Sequence, residues 1–319
     1  MRESPINSFP FAKASGDALR SLGVGGQHKS VLLAEAVEWL GIQKPAVIVD
    51  GTLGSGGHAE EILRRLGPKG KLIGFDKDPE AVREAAERLE RFGEQAMIIR
   101  DDFKNIARRL SQANVHSADG VLLDLGVSSM QLDREQRGFS FSKNGPLDMR
   151  MDPQSALSAT EIVNHYPEKE LADIFWNFGQ ERHSRRIASR IVRERSRKKI
   201  LTTAALEQVI FHSVPRTYRY GRIHPATRSF QALRIVVNDE LGSLQRFLSE
   251  VVSLLKPRGR VVIISFHSLE DRLVKQAFRE FERQGLGQVL TKKPVVAGEP
   301  EIQENPRARS AKLRVFEKA

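Results

Sequence analysis

An apolar strand that ends in an acid and then turns through glycines constrains this chain more than any other feature. It reads Val47-Ile48-Val49-Asp50-Gly51-Thr52-Leu53-Gly54-Ser55-Gly56-Gly57-His58. Ala59, Ile62, Leu63 and Leu66 follow at helical spacing, and Leu72-Ile73-Gly74-Phe75-Asp76 is a second strand that also ends in an acid. Strand, glycine turn, helix and strand make half of a nucleotide-binding α/β fold. The glycines let the backbone approach a ligand, and Asp76 falls where such folds offer a carboxylate to ribose hydroxyls. The expected ligand carries a ribose.

Asp50 narrows its chemistry. Gly54-x-Gly56-x-x-Ala59 also satisfies the dinucleotide fingerprint, but that turn must hold a pyrophosphate, which a carboxylate at the preceding strand end repels. S-adenosylmethionine has no phosphate, and its ammonium and sulfonium are drawn to acids. Asp50, Gly56, Gly57, His58 and Asp76 are therefore candidate contacts for this methyl donor. A dinucleotide site and a structural turn with no ligand are the alternatives.

The pattern continues beyond Asp76. Asp78-Pro79 caps a helix with Val82, Ala85, Leu89 and Phe92 on its apolar stripe, and strands are expected over 96–100 and 120–124. The first of these ends in Asp101-Asp102-Phe103, where the Phe103 ring either covers an adenine face or simply packs, with Asp102 available to the purine amine. The second ends in Asp124, which either faces the transferring methyl or caps the next segment. The next parallel-type strand is expected only at 260–266, after a helix over 239–255 and the turn Lys256-Pro257-Arg258-Gly259.

A single crossover needs a few tens of residues, so this interval holds roughly ninety too many. Helix-like stretches at 156–164, 168–178, 182–199 and 203–213 suggest an inserted helical domain over 133–224, with 17 Lys/Arg against 11 Asp/Glu. In 182–199, nine Lys/Arg face one acid, Glu194, while Ile187, Ala188, Ile191 and Val192 supply an apolar strip. That is a phosphate-binding face through Arg185, Arg186, Arg190 and Arg193, or else a merely solvated one.

The whole chain of 319 residues carries 51 Lys+Arg against 40 Asp+Glu, a surplus that suits a polyanionic partner. It has no cysteine, which excludes disulfides, thiolate zinc, iron–sulfur clusters and a cysteine nucleophile. Methylation at pyrimidine carbon 5 usually needs a thiolate, and radical methylation a cysteine-bound cluster. Direct transfer to nitrogen or oxygen remains. The histidines lack metal-ligand spacing, so no metal is expected. No apolar run reaches membrane-spanning length and residues 1–26 have no secretory h-region, which predicts a soluble, cytoplasmic protein with a mobile N-terminal tail.

Further motifs bring a resemblance. His28-Lys29-Ser30-Val31-Leu32-Leu33, the 50–58 turn, Asp124-Leu125-Gly126-Val127-Ser128-Ser129 running on to Asp133, Arg137-Gly138-Phe139-Ser140-Phe141 and Gly145-Pro146-Leu147-Asp148-Met149-Arg150-Met151-Asp152 come first. His224-Pro225-Ala226-Thr227-Arg228-Ser229-Phe230-Gln231-Ala232-Leu233-Arg234, Ser265-Phe266-His267-Ser268-Leu269-Glu270-Asp271-Arg272 and Asn305-Pro306-Arg307-Ala308-Arg309-Ser310 follow in the same order. Together they make the chain resemble the RsmH (MraW) family of ribosomal RNA methyltransferases. Only the first 26 residues lie outside the likeness.

The resemblance implies a Rossmann-like class I S-adenosylmethionine-dependent methyltransferase sheet, formed by 27–132 and 225–319, with an inserted helical, RNA-recognition domain. It implies methyl transfer to the exocyclic N4 of one cytidine in the decoding region of bacterial 16S ribosomal RNA, presented as RNA or as a 30S particle. Its cofactor contacts fall on Gly56, Gly57, His58, Asp76, Phe103, Asp124 and Gln131, with Asp124 at the methyl end. Cytosine and adenine amine methylases often place a Pro-Pro-aromatic run after this acid. Here Leu125-Gly126-Val127 follows, so base stacking falls to Phe139 and Phe141, or those rings are packing. A methylase of ribose 2′-oxygen or protein, or a non-catalytic assembly factor, remains the rival reading, and a homodimer is left open.

Overall fold

The computed structural model describes residues 30–319. The expected tail, 1–26, and His28-Lys29 of the first motif lie outside the described residues. Seven strands form one sheet: β1 Val47–Asp50, β2 Lys71–Asp76, β3 Ala96–Arg100, β4 Ala118–Asp124, β5 Leu255–Ser265, β6 Gly287–Val289 and β7 Lys312–Lys318. Their order is β3-β2-β1-β4-β5-β7-β6, and β7 alone runs against the rest. This is the sheet of the class I S-adenosylmethionine-dependent methyltransferases. Its strand order reverses between β1 and β4, the crevice where open α/β sheets bind ligands.

Apolar runs rather than alternating strands follow from covering both faces. Ile48, Leu72, Leu122 and Val262 pack with Ala36, Val37, Ile62 and Leu66 on one side. Their neighbours Val49, Ile73, Val121, Leu123 and Ile263 meet Leu110, Leu244, Phe247 and Phe278 on the other. The helix Gly57–Leu66 buries Ala59, Ile62, Leu63 and Leu66, the stripe read from the sequence. The helix Pro79–Leu89 starts at Asp78, whose side chain accepts from the Glu80 N–H, with Pro79 in the first turn.

The sheet differs from the sequence reading around β5 and beyond it, where β6 is also unexpected. The turn at Lys256–Gly259 does not precede β5 but bulges from it, since Ala118 pairs with Leu255 and Gly120 with Arg260. The extra residues loop out between two ladder pairs, and Arg258 takes a positive φ of 62° there. β7 was not anticipated; its buried Leu313, Val315 and Phe316 complete the sheet beyond β5.

Between β4 and β5 the chain makes a third apolar cluster. Ile162, Leu171, Phe175, Ile187, Ile191, Leu206 and Ile210 come from the helices Ala159–His165, Glu168–Asn177, Ser184–Arg195 and Thr203–Ser213. Ala226, Phe230 and Leu233 of the helix Ala226–Val237 join them, so apolar packing carries this unit past residue 224.

Candidate active site

A cavity of about 330 Å³ opens at the carboxyl ends of β1, β2 and β4. The glycine turn forms its floor. Gly56 takes a left-handed conformation (φ 81°) at the start of the helix Gly57–Leu66, and a Cβ on Gly57 would sit 2.1 Å from Ser30 Oγ. Both positions need glycine, for backbone strain at the first and close approach at the second. Gly57 and His58 line the cavity, whereas Gly56 does not, so Gly56 shapes the turn without contributing wall.

Asp76 lines the cavity and is fixed from two sides. Its Oδ2 accepts from the Gly54 N–H at 2.9 Å and its Oδ1 from the Asp78 N–H at 2.9 Å. Phe103 lines the wall, edge-on to Phe247 at 6.0 Å. Beside it, Asp102 Oδ2 accepts from Lys77 Nζ at 3.1 Å and from Ser243 Oγ at 3.3 Å, and Oδ1 accepts from the Lys104 N–H alone, at 3.0 Å, which leaves Oδ1 capacity for a donor in the cavity.

Asp124 closes the far end. Its backbone N–H donates to Thr52 Oγ1 at 2.6 Å, and its side chain keeps 24% of its surface, facing the cavity. Oδ1 of this carboxylate has no hydrogen-bond partner. Oδ2 lies 3.8 Å from His58 Nδ1, while His58 Nε2 reaches the Val31 carbonyl at 3.1 Å.

Asp50 is a correction. It does not line the cavity but is buried at 1% exposure, with Oδ1 accepting from the Thr52 N–H and Oδ2 without a partner. It acts on the cavity by field rather than contact. Gln131 is different. It lines the cavity, yet its amide nitrogen donates to Asp78 Oδ2 at 2.7 Å and its carbonyl accepts from the Ser128 N–H at 3.0 Å. Its polar atoms hold the wall together.

The electrostatics of this pocket are one-sided. Loss of water raises the Asp50 carboxyl to about 7, against the pull of the Thr52 N–H and with help from Asp76. The same desolvation raises Asp76 to about 6, and pushes Asp124 well above the ordinary range with Asp50 and Glu270 adding repulsion. Buried acids without counterions disfavour their own ionisation. The field of buried Asp50 and the cavity-facing carboxylate of Asp124 therefore fit a ligand that brings positive charge, as S-adenosylmethionine does.

A family model described as the MraW methylase family matches residues 25–319. The chain belongs to the MraW methylase family. Three proteins named ribosomal RNA small subunit methyltransferase H are similar to it. That of Geotalea uraniireducens is 49% identical over 307 residues, covering 91% of this chain and 98% of the relative. That of Pelobacter propionicus is 49% identical over 310 residues (92% and 99%), and that of Halothermothrix orenii 45% over 307 (92% and 98%).

In this MraW methylase neither Phe139 nor Phe141 lines the cavity. Phe139 is 7% exposed in the helical cluster, and Phe141 stacks on His224 at 4.8 Å and meets Phe230 edge-on at 5.1 Å. Both rings are packing, because the loop that carries them folds inward onto the helices. Arg137 is likewise a clamp, paired with buried Asp78 at 2.8 Å and donating to the carbonyls of Arg150 and Met151. Asp78, which the sequence reading saw only as a cap, thus ties the helix Pro79–Leu89 to Gln131 and Arg137.

Of the motif arginines, Arg234 makes two 2.8 Å bonds to Glu240, and Arg307 pairs with Asp133 at 2.9 Å and meets Ser129. Those bonds explain both within the protein. Glu240, His267 and Glu270 bring ligand atoms within 4.8 Å of one another. Arg234 holds Glu240, the N–H groups of Phe266 and His267 donate to Glu270, and His267 caps the helix through Nδ1 while its buried Nε2 lies 3.2 Å from Glu270 Oε1 without a hydrogen-bond partner. Arg185, Arg186 and Arg193 stand exposed on the helix Ser184–Arg195, whereas Arg190 is paired with Glu194 at 2.8 Å. Among the described residues no helix is long and apolar enough to cross a membrane.

Proposed function

We propose that this MraW methylase transfers a methyl group from S-adenosylmethionine to the exocyclic N4 of one cytidine in the decoding region of 16S ribosomal RNA, acting in the cytoplasm on the RNA or the 30S particle. Asp124 carries the reading: a carboxylate at the end of β4, open to the cavity, with one oxygen unpartnered. The names of the relatives support small-subunit ribosomal RNA as the substrate, and the cytidine N4 rests on the family resemblance. Asp76 is assigned to the ribose, Phe103 and Asp102 to the adenine, and the turn through Gly57 and His58 to the methionine end.

When bound, the cofactor supplies an electrophilic methyl on a cationic sulfur. A cytosine amine is a weak nucleophile because its lone pair is delocalised into the ring, so positioning dominates. Amine and methyl must be held in line at roughly 3 Å in a water-poor crevice. Asp124 accepts a hydrogen bond from the amine through the cavity-facing part of its carboxylate, which orients the nitrogen, and takes up its proton before solvent does. The helical unit is assigned to RNA recognition, with Arg185, Arg186 and Arg193 meeting phosphates.

The raised carboxyls give a pH dependence of definite sign. Folded pKa values of about 7 at Asp50 and about 6 at Asp76 lie above the ordinary 3.8, so their stabilising contribution to the ligand-free protein is full below pH 3.8 and is lost as pH rises through 6 to 7. A cationic ligand binds the ionised forms and reverses this trend. The dissociation constant for S-adenosylmethionine is expected to fall at least ~10-fold between pH 5 and pH 8. Titration calorimetry at both pH values, with proton release measured from the buffer dependence of the heat, checks it. A flat profile removes the acids from the binding account.

The function itself is tested in cells lacking the protein. Nucleoside mass mapping of their small-subunit RNA should show one decoding-region cytidine lighter by a single methyl on its base. An unchanged map contradicts the proposal.

A further inference from the structure

The helical unit carries a surface that the catalytic reading does not use. Between Glu207 and Asp239 the chain has five arginines and no acid. Within that run Tyr220 is 73% exposed and Ile223 53%, with Arg216 and Arg222 exposed and without a carboxylate partner among the described residues. The segment is braced. Arg219 donates to the carbonyls of Val214 and His212 at 3.0 and 3.1 Å and lies 5.4 Å over the Phe211 ring, and Phe211 meets Tyr220 edge-on at 6.0 Å. An exposed tyrosine is thereby held out on a fixed loop.

The loop is continuous with both the basic helix and the cavity. Arg182 lies 4.8 Å over the Tyr218 ring, and His183 meets the same ring at 4.7 Å, which joins the loop to the start of the helix Ser184–Arg195. Gln180, two residues before Arg182, accepts from Ser268 Oγ at 2.9 Å. Ser268 follows Phe266, which lines the cavity. Trp176 is also exposed, at 59%, but its helix face carries exposed Asp173 beside exposed Lys169 and lacks the basic surplus of the loop.

We propose that Arg216–Ile223 is a docking platform for single-stranded ribosomal RNA next to the target cytidine, with an unpaired base stacked on Tyr220 and neighbouring phosphates on Arg216 and Arg222. This rests on the rRNA-methylating reading. A cytidine that enters a buried pocket must leave its stack, and a flanking base held on an aromatic ring helps keep the strand open. Stacking tolerates any base, while the arginines supply the salt-dependent share of affinity.

The test uses the full-length protein and a fluorescent single-stranded RNA of the decoding-region sequence, titrated at several salt concentrations. Tyr220→Ala should weaken binding by roughly 5- to 100-fold with an unchanged salt slope, and raise KM for small subunits more than it lowers kcat. Tyr220→Trp should restore affinity. Arg216→Gln with Arg222→Gln should instead flatten the salt slope by about 1.4. Affinity for S-adenosylmethionine should stay at the wild-type value in all of them. If wild type methylates small subunits and Tyr220→Ala binds and reacts like wild type, the platform is wrong and the function stands. If wild type neither binds this RNA nor methylates subunits, the rRNA reading fails and the platform with it.

Discussion

Asp124→Ala is expected to fold, to bind RNA, and to lose about 10²- to 10⁴-fold in the rate of methyl transfer, because the amine is no longer oriented toward the methyl. The carboxylate closes the cavity at the end of β4, with Oδ1 unpartnered and its ionisation opposed by burial, Asp50 and Glu270. A group so placed strains the ligand-free protein. The alanine variant should therefore melt at the same temperature as wild type or higher, a gain in stability beside a loss of activity. The Asp124→Asn variant keeps an acceptor and should retain some rate. Single-turnover kinetics with thermal melts measure both; an unaltered rate in Asp124→Ala sinks the mechanism.

Asp76→Ala should weaken S-adenosylmethionine binding by roughly 1.5 to 3 kcal/mol, about 10- to 150-fold, with RNA affinity untouched. Part of that loss is indirect. Asp76 also holds the N–H groups of Gly54 and Asp78, so its removal frees the turn that frames the cavity as well as deleting the ribose acceptor. Asp76→Asn keeps a carbonyl oxygen and should fall between the two. Calorimetry decides it: unchanged affinity in Asp76→Ala would remove the ribose assignment.

These two acids were legible in the sequence because strand, acid and turn are contiguous there, and a parallel sheet places strand ends at one crevice. The same logic gave β1 to β4 nearly to the residue. β7 escaped because Lys312–Lys318 carries charged residues at both ends and follows a loop with no glycine turn, although Leu313 and Val315 alternate with polar residues. Local pattern also cannot say which side of a loop is wet. Phe139 and Phe141 read as either base-stacking or packing rings, and the fold shows them against the helices. Gln131 and Arg137 meet Asp78 across more than fifty residues, a network no spacing rule reveals. Arg190 was separable in principle, since Glu194 stands four residues on, the distance at which helical ion pairs form.

The central claim is direct transfer to a cytosine nitrogen, and it is tested most directly by incubating the protein and labelled S-adenosylmethionine with small subunits that lack the modification, followed by nucleoside mass spectrometry. The account predicts label in N4-methylcytidine alone, at one decoding-region position, with no covalent protein–RNA adduct even when that cytidine carries 5-fluorine. Label on ribose or on carbon 5, or a trapped adduct, contradicts it.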